Sequence, residues 1–238
     1  MTEVLSRPSA HAAAADIAGA LERFSAAVFE PLRVMADAVA AAIPVGRRPV
    51  LAEFAAVRPL AVAQLQRADG LVTGSGLIAD PALIADAPWH LAWWTAGVDG
   101  RVDPLRVVSD PAQDGFRDYT VLEWWVVPLR TGGRHITGPY VDYLCTDAST
   151  LTFTVPVHRP DGSMAAVVGS DVYASRAERL LLPVLRAGGH PATVVNTAGR
   201  VVVSTCPGHA TGSLVRATPA GWVRHDAADV GFSVLVEA

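Results

Sequence analysis

The sequence predicts an α+β fold, and three observations lead to this prediction. Large apolar residues recur at steps of three and four over residues 13–43, which is the period of a long helix. Later segments change to short strand-like runs, two of which flank Asp161-Gly162, a pair suited to a tight hairpin turn. A further helical segment then separates these runs from a smaller strand-rich tail. Helices and antiparallel strands in separate parts of a chain are typical of an α+β plan.

The composition excludes several classes of protein. The 238 residues, of which 51% are hydrophobic, suffice for one large domain or for a domain with a small appendage. A formal net charge of −4 offers no basic surface for nucleic acid. Two cysteines fit neither a disulfide framework nor a zinc site, and the seven histidines form no HxH or HxxxH pair. We therefore expect no nucleic-acid partner, no metal and no cofactor.

Neither a membrane span nor a signal peptide is expected. The first residues lack the charged head and apolar run of a secretory signal. No segment approaches the roughly 18 uninterrupted apolar residues that a membrane span needs. The sequence thus predicts a soluble, cytoplasmic protein.

The long N-terminal helix leaves two alternatives for its apolar stripe. The stripe consists of Ile17, Leu21, Phe24, Val28, Leu32, Met35, Val39 and Ile43. It either packs wholly on the core of its own chain or forms part of a homodimer interface. Pro31 is expected to kink the helix, because an interior proline removes one backbone hydrogen bond.

The middle of the chain predicts a second helix over residues 50–67, strands over 71–80 and 90–95, and a short helix over 116–125. Within the first of these strands, Gly74-Ser75-Gly76 has no following lysine and does not open a helix. It therefore indicates a close approach of backbone rather than a phosphate site.

The remaining segments predict three antiparallel strands, a helix and the tail. The strands cover residues 140–145, 150–157 and 164–172, and the helix covers 175–186 with Ser175 as its capping residue. Gly188-Gly189 indicates a boundary, so we expect one unit over residues 1–187 and a small one over 188–238. The tail predicts a hairpin of strands 192–196 and 200–205, then strands 222–225 and 232–236.

The candidate site combines aromatic faces with carboxylates. Trp124-Trp125 is followed by Gly138-Pro139-Tyr140-Val141-Asp142, and a further acid, Asp171, lies inside an apolar strand pattern. No Ser/His/Asp order and no metal-ligand spacing accompanies them, so the pattern favours a pocket for a small cationic molecule over a catalytic centre. Glu123, Tyr119 and Trp94 complete the set of expected ligand contacts.

Each of these residues also has a structural alternative. Neighbouring helical residues point about 100° apart, so we expect at most one of Trp124 and Trp125 to face a ligand. Trp93 and Trp94 lie on a strand and must face opposite sides, one of them into the core. An acid within an apolar strand pattern is costly to bury unless it is paired, so Asp142 and Asp171 either contact a ligand or form salt bridges with arginines.

This order of elements resembles the Cache family of sensor domains, which are relatives of PAS domains. The resemblance extends over about residues 13–186, where Trp124-Trp125, Tyr140, Asp142 and Gly169-Ser170-Asp171 are similar to motifs that line the membrane-distal pocket of double-Cache receptors. It implies a PAS-like domain with a long N-terminal helix and a central antiparallel sheet. The segment from Ala192 is similar to the opening of the second module and implies a small, truncated copy.

Two departures from this family shape the functional prediction. The chain has neither the transmembrane helices nor the output domain of such receptors, so its signal is expected to leave through a regulatory partner or a dimer. Amino-acid receptors of the family carry an arginine two positions before the Trp of their motif, and here that position holds Leu122. Without this anion clamp, we expect an amine ligand that has no carboxylate, such as a biogenic amine, a polyamine or a methylated amine.

Three other functions remain as alternatives, one of which is an interaction subunit whose pocket is vestigial. The same pocket could bind an amino acid or a small carboxylate. An enzyme could use Asp142 and Asp171 as acid and base on a small amine metabolite, although no cofactor motif or nucleophile elbow supports catalysis.

Overall fold

The computed structural model describes residues 8–97, 100–141, 148–227 and 230–238. The helices are α1 (Ala10–Ala41), α2 (Val57–Leu65), α3 (Glu123–Thr131) and α4 (Ala174–Ala187), with short 3₁₀ helices at Leu51–Phe54 and Tyr119–Val121. The strands are β1 (Gly74–Ala79), β2 (Leu91–Ala96), β3 (Val102–Pro104), β4 (His135–Val141), β5 (Ser149–His158), β6 (Met164–Tyr173), β7 (Ala192–Asn196), β8 (Val201–Ser204), β9 (Trp222–Ala227) and β10 (Phe232–Glu237).

The strands form two antiparallel sheets. The large sheet has six strands in the order β3-β2-β1-β6-β5-β4, and the small sheet has four in the order β8-β7-β10-β9. The expected Asp161-Gly162 turn joins β5 to β6, with Gly162 at a φ of +84°. The α+β fold with a long N-terminal helix and a central antiparallel sheet is therefore confirmed.

Helix α1 packs along the inside of the molecule. Ser9 caps its start by accepting a hydrogen bond from the amide of Ala12, and the helix continues through Pro31. From Ile17 to Val39 the apolar stripe is at most 6% exposed within the single chain. The stripe therefore packs on the core of its own chain. It does not form a homodimer interface, which was the other alternative. None of the described helices is long and apolar enough to cross a membrane.

The two faces of the large sheet differ because side chains alternate along each strand. On β6, Val168 and Val172 belong to the main apolar core with α1, and Ser170 donates a hydrogen bond to Gln64 of α2 at 2.8 Å. Val167, one residue out of phase, belongs to a separate aromatic cluster on the other face. Asp171 is in phase with Val167, so it lies on the face turned away from α1.

The small sheet shares the main core with the large one. Val194 and Val234 join the same buried cluster as Phe153 of β5. The side chain of Asn196, at the end of β7, donates a hydrogen bond to the carbonyl of Gly138 in β4. The two sheets are therefore joined by apolar contacts and by the buried side-chain amide of Asn196.

Three boundary predictions need correction. The helix expected over residues 116–125 is instead the 3₁₀ turn Tyr119–Val121 followed by α3, because Leu122 is extended with a ψ of 147°. Helix α4 begins one residue before Ser175, and no side chain caps it. Strand β4 already begins at His135, and residues 142–145 of the predicted strand lie outside the described residues.

Candidate ligand-binding site

The floor of the site is a pair of glycines beneath one tryptophan. Trp93 of β2 lies across β1 and β6, and a Cβ placed on Gly74 would stand 2.6 Å from its Nε1 atom. A Cβ on Gly169 would stand 3.1 Å from the far edge of the same ring. Only glycine leaves room for the indole at both positions. The close approach expected at Gly74-Ser75-Gly76 is therefore present, and the approaching group is an indole ring as well as backbone.

Asp171 lies beside this indole at one end of a short chain of hydroxyl groups. Its side chain is 5% exposed, and its Oδ2 atom would be 2.8 Å from a Cβ on Gly74. Thr152, directly opposite on β5, donates its hydroxyl hydrogen to Asp171 Oδ1 at 2.7 Å. The Tyr140 hydroxyl lies 2.9 Å from Thr152 Oγ1. Since the single proton of Thr152 is already used, Tyr140 donates to Thr152.

An aromatic cluster covers the neighbouring part of this face. The rings of Tyr119 and Trp125 are 5.6 Å apart, and those of Tyr119 and Trp124 are 6.4 Å apart and nearly parallel. The Tyr119 hydroxyl donates to the carbonyl of Ala79 at 2.7 Å. Burial raises the pKa of Tyr119 above its usual value, and the carboxylates of Asp80 and Asp118 add to the shift. Tyr119 therefore acts here as a neutral, structural hydrogen-bond donor.

A cavity of about 720 Å³ lies next to Trp124 and Tyr140. It is large enough for a small metabolite. Its walls come from the 3₁₀ turn, the start of α3, strand β4 and the turn between β7 and β8. The lining residues are Arg117, Asp118, Val121, Leu122, Glu123, Trp124, Thr137, Gly138, Pro139, Tyr140, Val141 and Arg200.

The two acids in this lining already have hydrogen-bond partners. Glu123 lies 2.9 Å from the Nε2 atom of His135. Asp118 accepts hydrogen bonds from the amide and the hydroxyl of Thr120, at 2.8 and 2.6 Å. These contacts hold both carboxylates at the wall of the cavity.

The structure brings most, but not all, of the expected site residues together. Trp124, Glu123 and Tyr140 line the cavity, whereas Trp125 and Tyr119 pack beside it in the aromatic cluster. One of the two neighbouring tryptophans thus reaches the cavity, as helical geometry requires. Asp171 does not line it and reaches it only through Thr152 and Tyr140. Asp142 lies outside the described residues.

Among the described residues, Trp94 lies apart from the other expected contacts. It packs against the α1 core, on the face opposite Asp171. Trp93 takes the place expected for Trp94, because β2 pairs with β1 so that Trp93 stands opposite Gly76.

Several residues near the site, Arg117 among them, were missed from the sequence. Thr152 and Thr137 are directly paired across β5 and β4, and Arg200 arrives from the small sheet. A signal for Trp93 did exist, since Gly74 and Gly169 mark the strand positions over which a large ring can lie. No comparable signal indicates Arg200, because it depends on how the two sheets pack.

Similar solved structures include sensory and ligand-binding domains of chemoreceptors and histidine kinases, so the fold expected from the sequence is confirmed. The chain is similar to a structure named methyl-accepting chemotaxis protein X, with a TM-score of 0.64, 18% identity, and 96% of this chain and 94% of that chain covered. It is also similar to the periplasmic sensory domain of the Campylobacter jejuni chemoreceptor Tlp1, with a TM-score of 0.61, 9% identity and coverage of 95% and 90%.

A third similar structure is the ligand-binding domain of the Pseudomonas aeruginosa amino-acid chemoreceptor PctC in complex with GABA. Its TM-score is 0.50 at 17% identity, with 95% of this chain and 94% of that chain covered. No protein-family model and no curated protein sequence matches the chain. At these identities the likeness establishes the fold.

Proposed function

We propose that this protein is a ligand-binding sensor domain that recognises a small molecule through its ammonium group. The observation that carries the proposal is Asp171, a buried carboxylate beside the Trp93 indole on the face of the large sheet turned away from α1. The sensory-domain fold supports a binding role over catalysis.

The surroundings of Asp171 favour a cation. A charge in a weakly polar environment is poorly screened, so its attraction for an ammonium group is stronger than it would be in water. The Thr152 hydroxyl donates a hydrogen bond to one carboxylate oxygen of Asp171, and the Tyr140 hydroxyl donates a hydrogen bond to Thr152. An aromatic ring in contact with the ammonium group adds a cation–π attraction of roughly 0.5 to 2 kcal/mol; Trp93 lies beside Asp171, and Trp124 and Tyr140 line the neighbouring cavity. We include Asp142 among the proposed contacts on the sequence pattern alone.

The second candidate ligand is an amino acid or a small carboxylate bound at the same place. Its support is the pair Arg117 and Arg200 in the wall of the cavity beside Trp124 and Tyr140. The similar PctC domain is in complex with GABA, which has both an ammonium and a carboxylate group. This candidate differs from the first in requiring an anion contact as well as a cation contact.

We further propose that the signal leaves through a partner protein or through a dimer. Such a dimer would have to use a surface other than the apolar stripe of α1, which the chain's own core covers. Binding can change the output only if the ligand prefers one of two arrangements of the protein. The cytoplasmic location stays a prediction; the similar Tlp1 domain is periplasmic.

A thermal-shift panel of amines and carboxylates tests the proposed function. A ligand that binds only the folded state stabilises it by about 2.7 kcal/mol at 100 times its dissociation constant. We expect amines to raise the melting temperature and the compound to be recovered unmodified. Stabilisation by carboxylates alone, with no amine active, would contradict the ammonium proposal. Chemical turnover of the bound amine would support the enzyme alternative.

A further inference from the structure

One edge of the small sheet is open. In the order β8-β7-β10-β9, the outer side of β8 is covered by the segment that follows it, where the amide of Val201 donates a hydrogen bond to the carbonyl of Ser213 at 2.8 Å. Strand β9 has no described strand on its outer side, and its residues Arg224, His225 and Asp226 are exposed. Strand β9 is therefore the edge to which a further strand can add.

The backbone groups of β9 alternate between the sheet and the solvent. Where β9 and β10 meet, the amide of Ala238 donates to the carbonyl of Gly221 at 2.9 Å, so the odd-numbered residues of this strand exchange hydrogen bonds with β10. The amide and carbonyl groups of Arg224 and Asp226 therefore point away from β10. Within the described part of the chain, no backbone group of a turn or loop bonds to them.

The side chains of this edge carry opposite charges two residues apart. Val234, which stands opposite His225, belongs to the main core, so Arg224 and Asp226 lie on the other face of the small sheet. Arg224 Nε is 2.7 Å from Asp226 Oδ1, and the Ser233 hydroxyl donates to the same oxygen at 2.6 Å. These contacts, with Ser233 the stronger, lower the pKa of the Asp226 carboxyl, so this acid is charged at neutral pH.

A second copy of β9, antiparallel to the first and related to it by a twofold axis at His225, matches both features. In this register Arg224 lies opposite Asp226 of the second copy, and Asp226 lies opposite Arg224 of the second copy. The outward amide and carbonyl groups of each pair face each other, so each pair exchanges both of its backbone hydrogen bonds. Directly opposed residues of opposite charge add to the stability of a sheet.

Other registers of the same two strands are less favourable. Moving one strand by two residues places Arg224 opposite its own copy or Asp226 opposite its own copy, and opposed like charges destabilise a sheet. Moving it by one residue brings outward groups opposite groups that point to β10, so the hydrogen bonds are lost. Charged side chains commonly protect an edge strand from pairing. Here their opposite signs and their spacing permit one register.

We propose that β9 is a self-association edge, through which two copies of this protein form an antiparallel dimer whose small sheets are continuous. The occupant is a second copy because the charge pattern of the edge is complementary to itself. The inference rests on the proposed function in one respect, since it names the surface for a dimer through which the signal leaves. An edge of six residues is small beside the roughly 1,200–2,000 Å² that stable complexes bury, so we expect a weak, concentration-dependent dimer.

Sedimentation velocity over a series of protein concentrations tests the proposal by charge exchange. Arg224→Asp places acids opposite acids across the axis, and Asp226→Arg places arginines opposite arginines. Because opposed like charges are costly, we expect each single variant to weaken the dimer at least about tenfold. The double variant Arg224→Asp/Asp226→Arg restores opposite charges in every pair and keeps the net charge of the wild type. It should dimerise as the wild type does.

A cross-linking variant keeps the test informative if a charge variant fails to fold. His225→Cys, made in a protein that also carries Cys145→Ser and Cys206→Ser, places the two new thiols opposite each other at the axis. Opposed residues that exchange no hydrogen bonds have Cα atoms about 4.5 Å apart, which allows a disulfide. We expect mild oxidation to give a covalent dimer. The control is Leu214→Cys in the same background, an exposed position at the other edge of the small sheet, which should stay monomeric.

The failures of this proposal and of the proposed function are distinguishable, because neither sedimentation nor cross-linking involves a ligand. The β9 dimer is overturned if the wild type stays monomeric at every concentration, if folded single variants dimerise as it does, or if the thiols at position 225 fail to link. Amine binding by a protein that stays monomeric would still support the ammonium site. Conversely, a dimer through β9 in a protein that binds no amine would support this inference and contradict the ammonium site.

Discussion

The same strands form both faces of the large sheet, and the two faces have different roles. Along β5, Phe153 is fully buried against Phe24 and Phe29 of α1, with ring centroids 5.7 and 5.1 Å away. Its neighbour Thr152 points the other way, to Asp171. The face toward helices α1 and α2 is mainly apolar, with Ser170 and Gln64 as a buried polar pair, whereas the opposite face combines aromatic rings with hydroxyl and carboxyl groups. The alternation of a strand lets one element support the core and the site at once.

This comparison teaches that stability and recognition should be separable by single substitutions. Changes on the face toward α1 should lower the free energy of unfolding and leave the ligand affinity of the folded protein intact. Changes on the other face should mainly alter affinity.

Phe153→Ala tests the face toward α1. Truncating a fully buried phenylalanine removes its packing and leaves a cavity, so we expect unfolding to become easier by about 3–5 kcal/mol. Urea denaturation measures the change, with Val121→Ala as a control, since Val121 is 69% exposed and should change stability by less than about 0.5 kcal/mol. A loss below about 1 kcal/mol for Phe153→Ala would show that this face is not the core.

Gly74→Ala tests the floor of the site. The new methyl group would stand 2.6 Å from Trp93 Nε1 and 2.8 Å from Asp171 Oδ2, so one of these side chains must shift. Overpacking of this kind costs about 1–3 kcal/mol. We expect a lower melting temperature together with weaker amine binding. Gly208→Ala is the matched control, because its methyl group would meet no atom within 4 Å; equal behaviour of the two variants would refute the account.

Trp93→Leu and Trp94→Leu compare the two faces at adjacent positions. If the Trp93 ring contributes a cation–π contact of roughly 0.5 to 2 kcal/mol, its loss weakens the binding of butylamine by about twofold to thirtyfold. Trp94→Leu should leave the affinity of the folded protein unchanged, since this ring packs on the α1 side. Calorimetric titration at a temperature where both variants are folded decides the matter. The reverse order of effects would restore the original assignment of Trp94.

Alkaline pH should lower the stability of the folded protein through Tyr119, which lies in the aromatic cluster. Burial raises the pKa of Tyr119 in the folded state above the value of 10.0 that it has when exposed. Its contribution to stability is therefore fully present below pH 10 and is lost as pH rises above 10, because the unfolded state then releases its proton first. Melting temperatures between pH 8 and pH 11, as an approximate working range, should fall less steeply for Tyr119→Phe than for the wild type. Parallel curves would contradict this role of Tyr119.

The sequence predicted the fold well because the fold depends on local patterns. The stripe of α1, the glycine turn at Gly162 and the strand-like runs each report their own secondary structure. The prediction was weakest where local signals conflict with packing. Around Tyr119 the helical periodicity continues, yet the extended Leu122 ends the 3₁₀ turn and starts α3 afresh.

The candidate site was predictable in part, for a reason of geometry. The resemblance to Cache domains predicted that Tyr140 and Asp171 share one pocket, and in the structure Thr152 links the two side chains. The choice between Trp93 and Trp94 required the pairing of β2 with β1, which a single sequence does not contain. Arg200 required the packing of the small sheet against β4. Leu122 occupies the position of the arginine that amino-acid receptors carry, whereas Arg117, five residues earlier, and Arg200, from the small sheet, line the cavity.

The most direct test of the central claim is the affinity of butylamine for the wild-type protein and for Asp171→Asn, measured by calorimetry. The substitution keeps the size of the side chain and removes its charge, and Asp103→Asn, at an exposed position of β3, is the control. We expect Asp171→Asn to bind at least about tenfold more weakly, while Asp103→Asn binds as the wild type does. Equal affinity of folded Asp171→Asn and wild-type protein would contradict recognition of the ligand through Asp171.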